Sequence, residues 1–292
     1  MSIIECVPNF SEGREEATLL ALEAALLSVP GVTLLGREAD TDHNRSVYTI
    51  AGPPDAVVEA AIRAVGVAAE RIDLNVHTGE HPRIGAADVI PFVPMEGITL
   101  AECVPLAHYA GEEIWRRYKV PVYFYEAAAK AEDRRRLENI RGGKIVGGPD
   151  VGEAHPTAGA SVVGARKFLI AYNINLASPR LDVAKAIAKK IRESNGGLPH
   201  VKAMGVMLHT RKQAQVSMNL TDFEVSPPHR VYAAVEKEAR AYGIEIASSE
   251  LIGFIPRAAV EMAFADLLRF ENFKARSVLE NALAAKLKES AR

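Results

Sequence analysis

The stretch His77-Thr-Gly-Glu-His81-Pro-Arg83-Ile-Gly85 gathers two imidazoles, a carboxylate and a guanidinium, and its first five residues read H-x-x-E-H. That spacing is one of the zinc-hydrolase signatures. It holds a metal only on a helix, where two histidines four apart share one face and close on a single ion. This stretch opposes a helix. Gly79 costs about 1 kcal/mol relative to Ala in a helix interior, Pro82 pushes His81 toward extended backbone, and no flanking helix offers a matched third ligand. A structural histidine is a second reading. The reading favoured here is a loop in which an imidazole, titrating near neutrality, works as acid or base.

Other polar side chains stand at comparable places. The segment Asp40-Thr-Asp-His-Asn-Arg45 joins two strand-like runs, and Arg83 follows His81 by two residues. Singly, each is a solvated turn residue; grouped, they suit an anionic small molecule held by Arg with an imidazole nearby. Asn9 and Ser11, just after the first strand, are expected to cap a helix beginning near Glu12, and free N–H groups at that helix end would also welcome a carboxylate. Arg134, Arg135 and Arg136 read as a solvated face. Arg166 and Lys167 are read as entering a strand, which would send them to opposite faces.

The elements that must position these groups come in a repeated order. "SIIECVPNF" is β-rich, Ser11 to Val29 has helical spacing, and "VTLLGREA" and "RSVYTIAG" pair around the polar turn. Pro54 opens a helix to about Ile72, and "ADVIPFVP" is a strand. Thr99-x-x-Glu102 is a capping box for a third helix that Pro105 should kink or delay. "VPVYFYE" is a strand, "AAAKAEDRRRLENIR" a charged helix, and Gly147 to Gly159 a loop. The order then restarts: "KFLIAYNIN", a helix over Asp182 to Glu193, "VKAMGVMLH", "AQVSMNLTD", a helix over Pro228 to Tyr242, and "IEIAS", with helices from about Pro256 and Arg276 closing the chain. The class is therefore α/β, of the α+β kind. We expect two ferredoxin-like βαββαβ subdomains, residues 1–167 and 168–292, whose sheets face each other across a ligand cleft. The aperiodic connections Asp73 to Gly85 and Gly147 to Gly159 are the first places to look for a site.

Bulk composition narrows the function. A net charge of −2 and a charged fraction of 25% argue against nucleic acid as a partner. Cys6 and Cys103 are the two cysteines, too few and too far apart for a disulfide framework; Cys6, in an apolar run, reads as a buried inert thiol. No signal peptide or membrane span is read, so a cytoplasmic location is expected.

The blocks "ECVPNFSEG", "NRSVYTIAG", "GEHPRIGAADVIPFVP", "VPVYFYEAAA" and "GARKFLIAYNIN", in this order, resemble glutamate formiminotransferases, and the similarity runs from residue 2 to "QVSMNLTDFEV" near 225. These enzymes move the formimino group of N-formiminoglutamate to tetrahydrofolate. The resemblance implies two α/β subdomains enclosing a folate cleft, a homodimer, and a stand-alone bacterial form without the cyclodeaminase fused on in animals, so that a separate protein would act on the product. It assigns the acid/base role to His81 and folate contact to Gly152, Glu153, Ala154, His155, Pro156, Thr157, Ala158 and Gly159, a stretch shorter than the animal version and without its aromatics. Tetrahydrofolate enters as co-substrate, and no metal is implied.

On that reading the glutamyl carboxylates want Arg45 and Arg83, and Asn9 is a further substrate-binding candidate. The cationic formimino group would favour Glu38, Asp40 or Glu80. Two other classes stay open: a folate-dependent transferase using a formyl or different formimino donor, and a non-enzymatic folate or anion binder.

Overall fold

A computed structural model describes residues 2–79, 82–271 and 273–290, so His81 and Glu80 lie outside the described residues. The chain divides into two compact units, residues 1–167 and 168–292.

In the first unit, β1 (Ile3–Cys6) and β2 (Asn9–Phe10) are two pieces of one strand, since both pair with β4 (Arg45–Gly52) and β5 (Ala87–Glu96). β3 (Thr33–Asp40) adds to β4 at the outer edge. With α1 (Glu16–Leu27) and α2 (Pro54–Arg71) as crossovers, this is the expected split βαββαβ order. Past β5 the sheet is extended in parallel by β7 (Ser161–Ala165) and then β6 (Val122–Glu126), reached through α3 (Leu100–Tyr118).

Alternation along the strands sets the two faces. Ile90, Val122, Phe124 and Val163 join Leu22, Ile62 and Ile114 in the main core, while Val89, Tyr125 and Val162 point the other way and meet Ile140 of α4 (Leu137–Arg141). Cys6 and Cys103 are both free and buried, and burial pushes both thiols up, that of Cys103 to about 11.

The second unit repeats the order: β8 (Ile170–Leu176), α5 (Leu181–Ile191), β9 (Val201–Leu208), β10 (Gln213–Leu220), α6 (Pro228–Ala241) and β11 (Ile246–Ile252). Its strands lie in the order β11-β8-β10-β9, the same relative arrangement as β5-β1-β4-β3 in the first unit. Ile174, Val216, Ile187 and Val235 form its separate core, and α7 (Arg257–Leu267) and α8 (Leu279–Ser290) follow.

Four expectations are corrected. Helix α1 begins at Glu16, because Ser11 to Glu15 form a turn in which the Glu12 carboxylate accepts the N–H groups of Gly13, Arg14 and Glu15 at 2.7–3.0 Å. Asn9 and Ser11 therefore do not cap it. The charged helix after β6 shrinks to a short 3₁₀ turn, Glu132–Arg134, and α4.

Arg134 is not solvated: it is buried against Asp150 at 2.6 Å and donates to the Val146 and Gly148 carbonyls. Arg166 and Lys167 lie in the link between β7 and β8, not in a strand. The Thr99 capping box forms as expected, and α3 starts on time with Pro105 inside it.

Candidate active site

The first unit brings both long connections and the β3–β4 turn together. The Leu74 N–H donates to the Thr157 carbonyl at 2.9 Å, Asn75 Nδ2 to the Pro156 carbonyl at 3.0 Å, and Ala86 N–H to the Ala158 carbonyl at 2.8 Å. Gly85 and Gly159 bridge directly. The approach depends on glycine: a Cβ on Gly85 would lie 2.1 Å from the Ala160 carbonyl oxygen, and one on Gly159, at φ +65°, 2.2 Å from that of Ile84.

The β3–β4 turn is fastened to the same loop. Asn44, buried and at φ +48°, accepts the Gly13 N–H at 2.9 Å and donates to the Thr78 carbonyl at 3.0 Å. Asn tolerates the left-handed backbone needed here and supplies both an acceptor and a donor. Arg83 reaches back to the His43 carbonyl at 3.2 Å.

Asp40 is occupied within the turn, accepting the N–H groups of Asp42 and His43 at 2.9 and 2.8 Å and facing the His43 ring at 3.0 Å. Burial alone would raise its carboxyl, but the hydrogen bonds from His43 outweigh that and hold it below the usual range. Glu38 is exposed on β3.

Of the anion-site candidates, Arg45 and Asn9 are joined, the guanidinium donating to Asn9 Oδ1 while Asn9 Nδ2 donates to the Val7 carbonyl at 2.7 Å. Burial first, and then the charge of Arg141, lower the Arg45 pKa to about 10. Arg83 contacts the His77 ring, so a guanidinium faces the imidazole that a zinc reading would use. Burial and then Arg83 push the His77 pKa below its ordinary value. Among the described residues, no group of three or more His, Cys, Asp and Glu could hold a metal ion.

Within 152–159, Gly152 at φ +82° lies flat on the Trp115 indole, and His155 Nδ1 accepts the N–H groups of Thr157 and Ala158 at 3.2 and 2.9 Å. His155 therefore shapes its own turn, and with Nδ1 accepting, the neutral ring carries its proton on Nε2. Sequence reasoning missed Asp88, Arg141 and Asp150, partners across long sequence gaps, misread Arg134 as solvated, and read Ser11 only as a cap. The Ser11 hydroxyl instead donates to the Gly85 carbonyl at 2.8 Å.

Two family models cover this chain: the formiminotransferase domain, N-terminal subdomain, over residues 3–166, and the formiminotransferase domain over residues 171–284. The chain belongs to the formiminotransferase family. It is 43% identical to the glutamate formimidoyltransferase of Streptococcus pyogenes serotype M1, over 96% of this chain and 98% of that protein. It is 40% identical to the one from Thermoplasma acidophilum, over 97% and 98%. The formimidoyltransferase-cyclodeaminase of Gallus gallus is 44% identical over 88% of this chain, which spans 51% of that longer protein. Among the described residues no helix is long and apolar enough to cross a membrane.

Proposed function

We propose that the protein transfers the formimino group of N-formimino-L-glutamate to N5 of tetrahydrofolate, releasing L-glutamate, with His81 as general acid and base. The observation that carries this reading is near full-length similarity to proteins named glutamate formimidoyltransferase, in a chain whose two loops meet in the unit that also holds Arg45 and Arg83. N5 attacks the formimino carbon and surrenders a proton as the tetrahedral intermediate forms. The carbon–nitrogen bond to glutamate then breaks, and the leaving nitrogen takes up a proton. An imidazole, whose reference pKa of about 6.5 lies near neutrality, suits both transfers.

Arg45, steadied by Asn9, and Arg83 are assigned to the substrate carboxylates, which planar guanidinium pairs well. Residues 152–159 are assigned to the folate, with backbone, His155 Nε2 and Thr157 supplying the polar contacts. No metal takes part in these steps. The organism would use the reaction in histidine degradation and one-carbon metabolism, in the cytoplasm and as a homodimer.

The test is a turnover assay with tetrahydrofolate and a panel of formimino and formyl donors, following the folate product and free glutamate together. Equal appearance of glutamate and 5-formiminotetrahydrofolate is expected. Turnover only with a formyl donor, or folate binding without turnover, would reject the reading.

A further inference from the structure

Asp88, at the start of β5, is buried, its side chain 3% exposed. One carboxylate oxygen accepts the Ile84 N–H at 2.7 Å, and the other holds the Arg141 guanidinium. Ile84 comes directly after Pro82-Arg83, so the first bond fixes the backbone three residues beyond His81. The second bond ties that backbone to α4, which is itself anchored through Ile140 against Val89, Tyr125 and Val162.

Asp88 also acts on the arginines beyond its hydrogen bond. The charge of Arg141 lowers the Arg45 pKa and that of Asp88 raises it; at Arg83, Asp88 again opposes the effect of burial. One carboxylate thus bonds the loop and stands within electrostatic reach of three guanidiniums.

We propose that Asp88 is a positioning residue of the candidate site, its two oxygens separately setting the path of the loop that carries His81 and the charge that Arg45, Arg83 and Arg141 present to a substrate carboxylate. The proposal rests on the formimino-transfer reading for the identity of that substrate. A purely structural ion pair would look alike in the structure but not in binding. Asp88→Asn conserves shape and one oxygen for Ile84, yet removes the negative charge and sets an amide donor against the donors of Arg141. The arginines then face the site with less compensation, and the loop shifts.

The experiment measures glutarate binding by calorimetry, a dicarboxylate without a formimino group, alongside kcat. In Asp88→Asn, glutarate should bind about five- to tenfold more tightly, as removal of one nearby like-to-ligand charge predicts, while kcat falls at least about tenfold from displacement of the acid/base loop. A structural role moves affinity and kcat down together with Tm, and that outcome overturns the proposal. Should Asp88→Asn fail to fold, Arg141→Gln carries the test with opposite sign: glutarate must bind about five- to tenfold more weakly, and unchanged affinity overturns it. Wild-type protein that binds glutarate but transfers no formimino group overturns the functional reading instead, and the calorimetric comparison still decides the role of Asp88.

Discussion

The Leu74 N–H and the Thr157 carbonyl meet at 2.9 Å, and this bond makes one structural piece of two loops that lie far apart in sequence. Asn75 adds a side-chain bond to the Pro156 carbonyl from an exposed position, so Asn75→Ala removes a tie without opening the core. A hydrogen bond of this kind contributes about 1 kcal/mol, so the KM for tetrahydrofolate should rise about three- to tenfold if the loop must be held to receive the folate. The KM for the formimino donor should move less. Steady-state kinetics with each substrate varied separately checks this; an equal rise in both would make 152–159 a scaffold, and a larger rise for the donor would reassign it to the donor.

Gly152 invites a bulky substitution as a probe of folate binding, but the structure redirects what that change reports. Its φ is +82° and an added Cβ would stand 2.3 Å from the Trp115 ring, so Gly152→Val strains the backbone and displaces the indole. We expect a loss of about 2–4 kcal/mol, combining backbone strain with overpacking, visible as a lower Tm before any kinetic effect is interpreted. An unchanged Tm would show that the loop moves freely off Trp115.

The Arg134–Asp150 pair anchors the same loop from its other end. Asp150 accepts the Phe124 N–H at 2.8 Å while its second oxygen meets Arg134, and both side chains are nearly excluded from solvent. Removing one partner of such a pair leaves the other charge buried, which costs about 3–5 kcal/mol. Arg134→Ala should therefore lower stability by that amount in denaturant unfolding. The double variant with Asp150→Asn should be less destabilised than the sum of the singles, because neither charge is then left alone.

Sequence periodicity located most of the frame because its signals are local. β4 alternates to bury Tyr48 and Ile50, Pro54 starts α2, and Thr99 with Glu102 starts α3. β7 was harder to read: "SVVGA" lies between β5 and β6 in parallel and is buried on both faces, so it carries no alternation. The site divides in the same way. Arg45, Arg83 and the two loops stood out by residue type. Asp88 did not, because a strand-start carboxylate looks solvent-bound until Arg141, distant in sequence, is folded onto it. Arg134 was misread for the same reason: a run of three arginines gives no hint that the first turns inward toward Asp150.

The two histidines of H-T-G-E-H should separate cleanly by function. Loss of a general acid–base group typically costs about 10² to 10⁴ in rate, and His81→Ala is expected to fall in that range with the fold intact. His77 is half-buried with Arg83 against its ring, and both influences favour its neutral form, so His77→Gln should keep most turnover. Arg83 beside that ring also repels a cation, and activity should survive exhaustive chelation. Stability gives an independent readout. A histidine whose folded pKa lies below its unfolded value of about 6.5 binds fewer protons folded than unfolded, so its contribution is present above that pH and is lost as pH falls through it toward the folded value. Wild-type Tm should therefore decline more steeply than that of His77→Gln as pH falls below about 6.5. Parallel Tm profiles would mean that His77 titrates as it does in the unfolded chain, and loss of turnover in His77→Gln with activity retained in His81→Ala would exchange the roles of the two imidazoles.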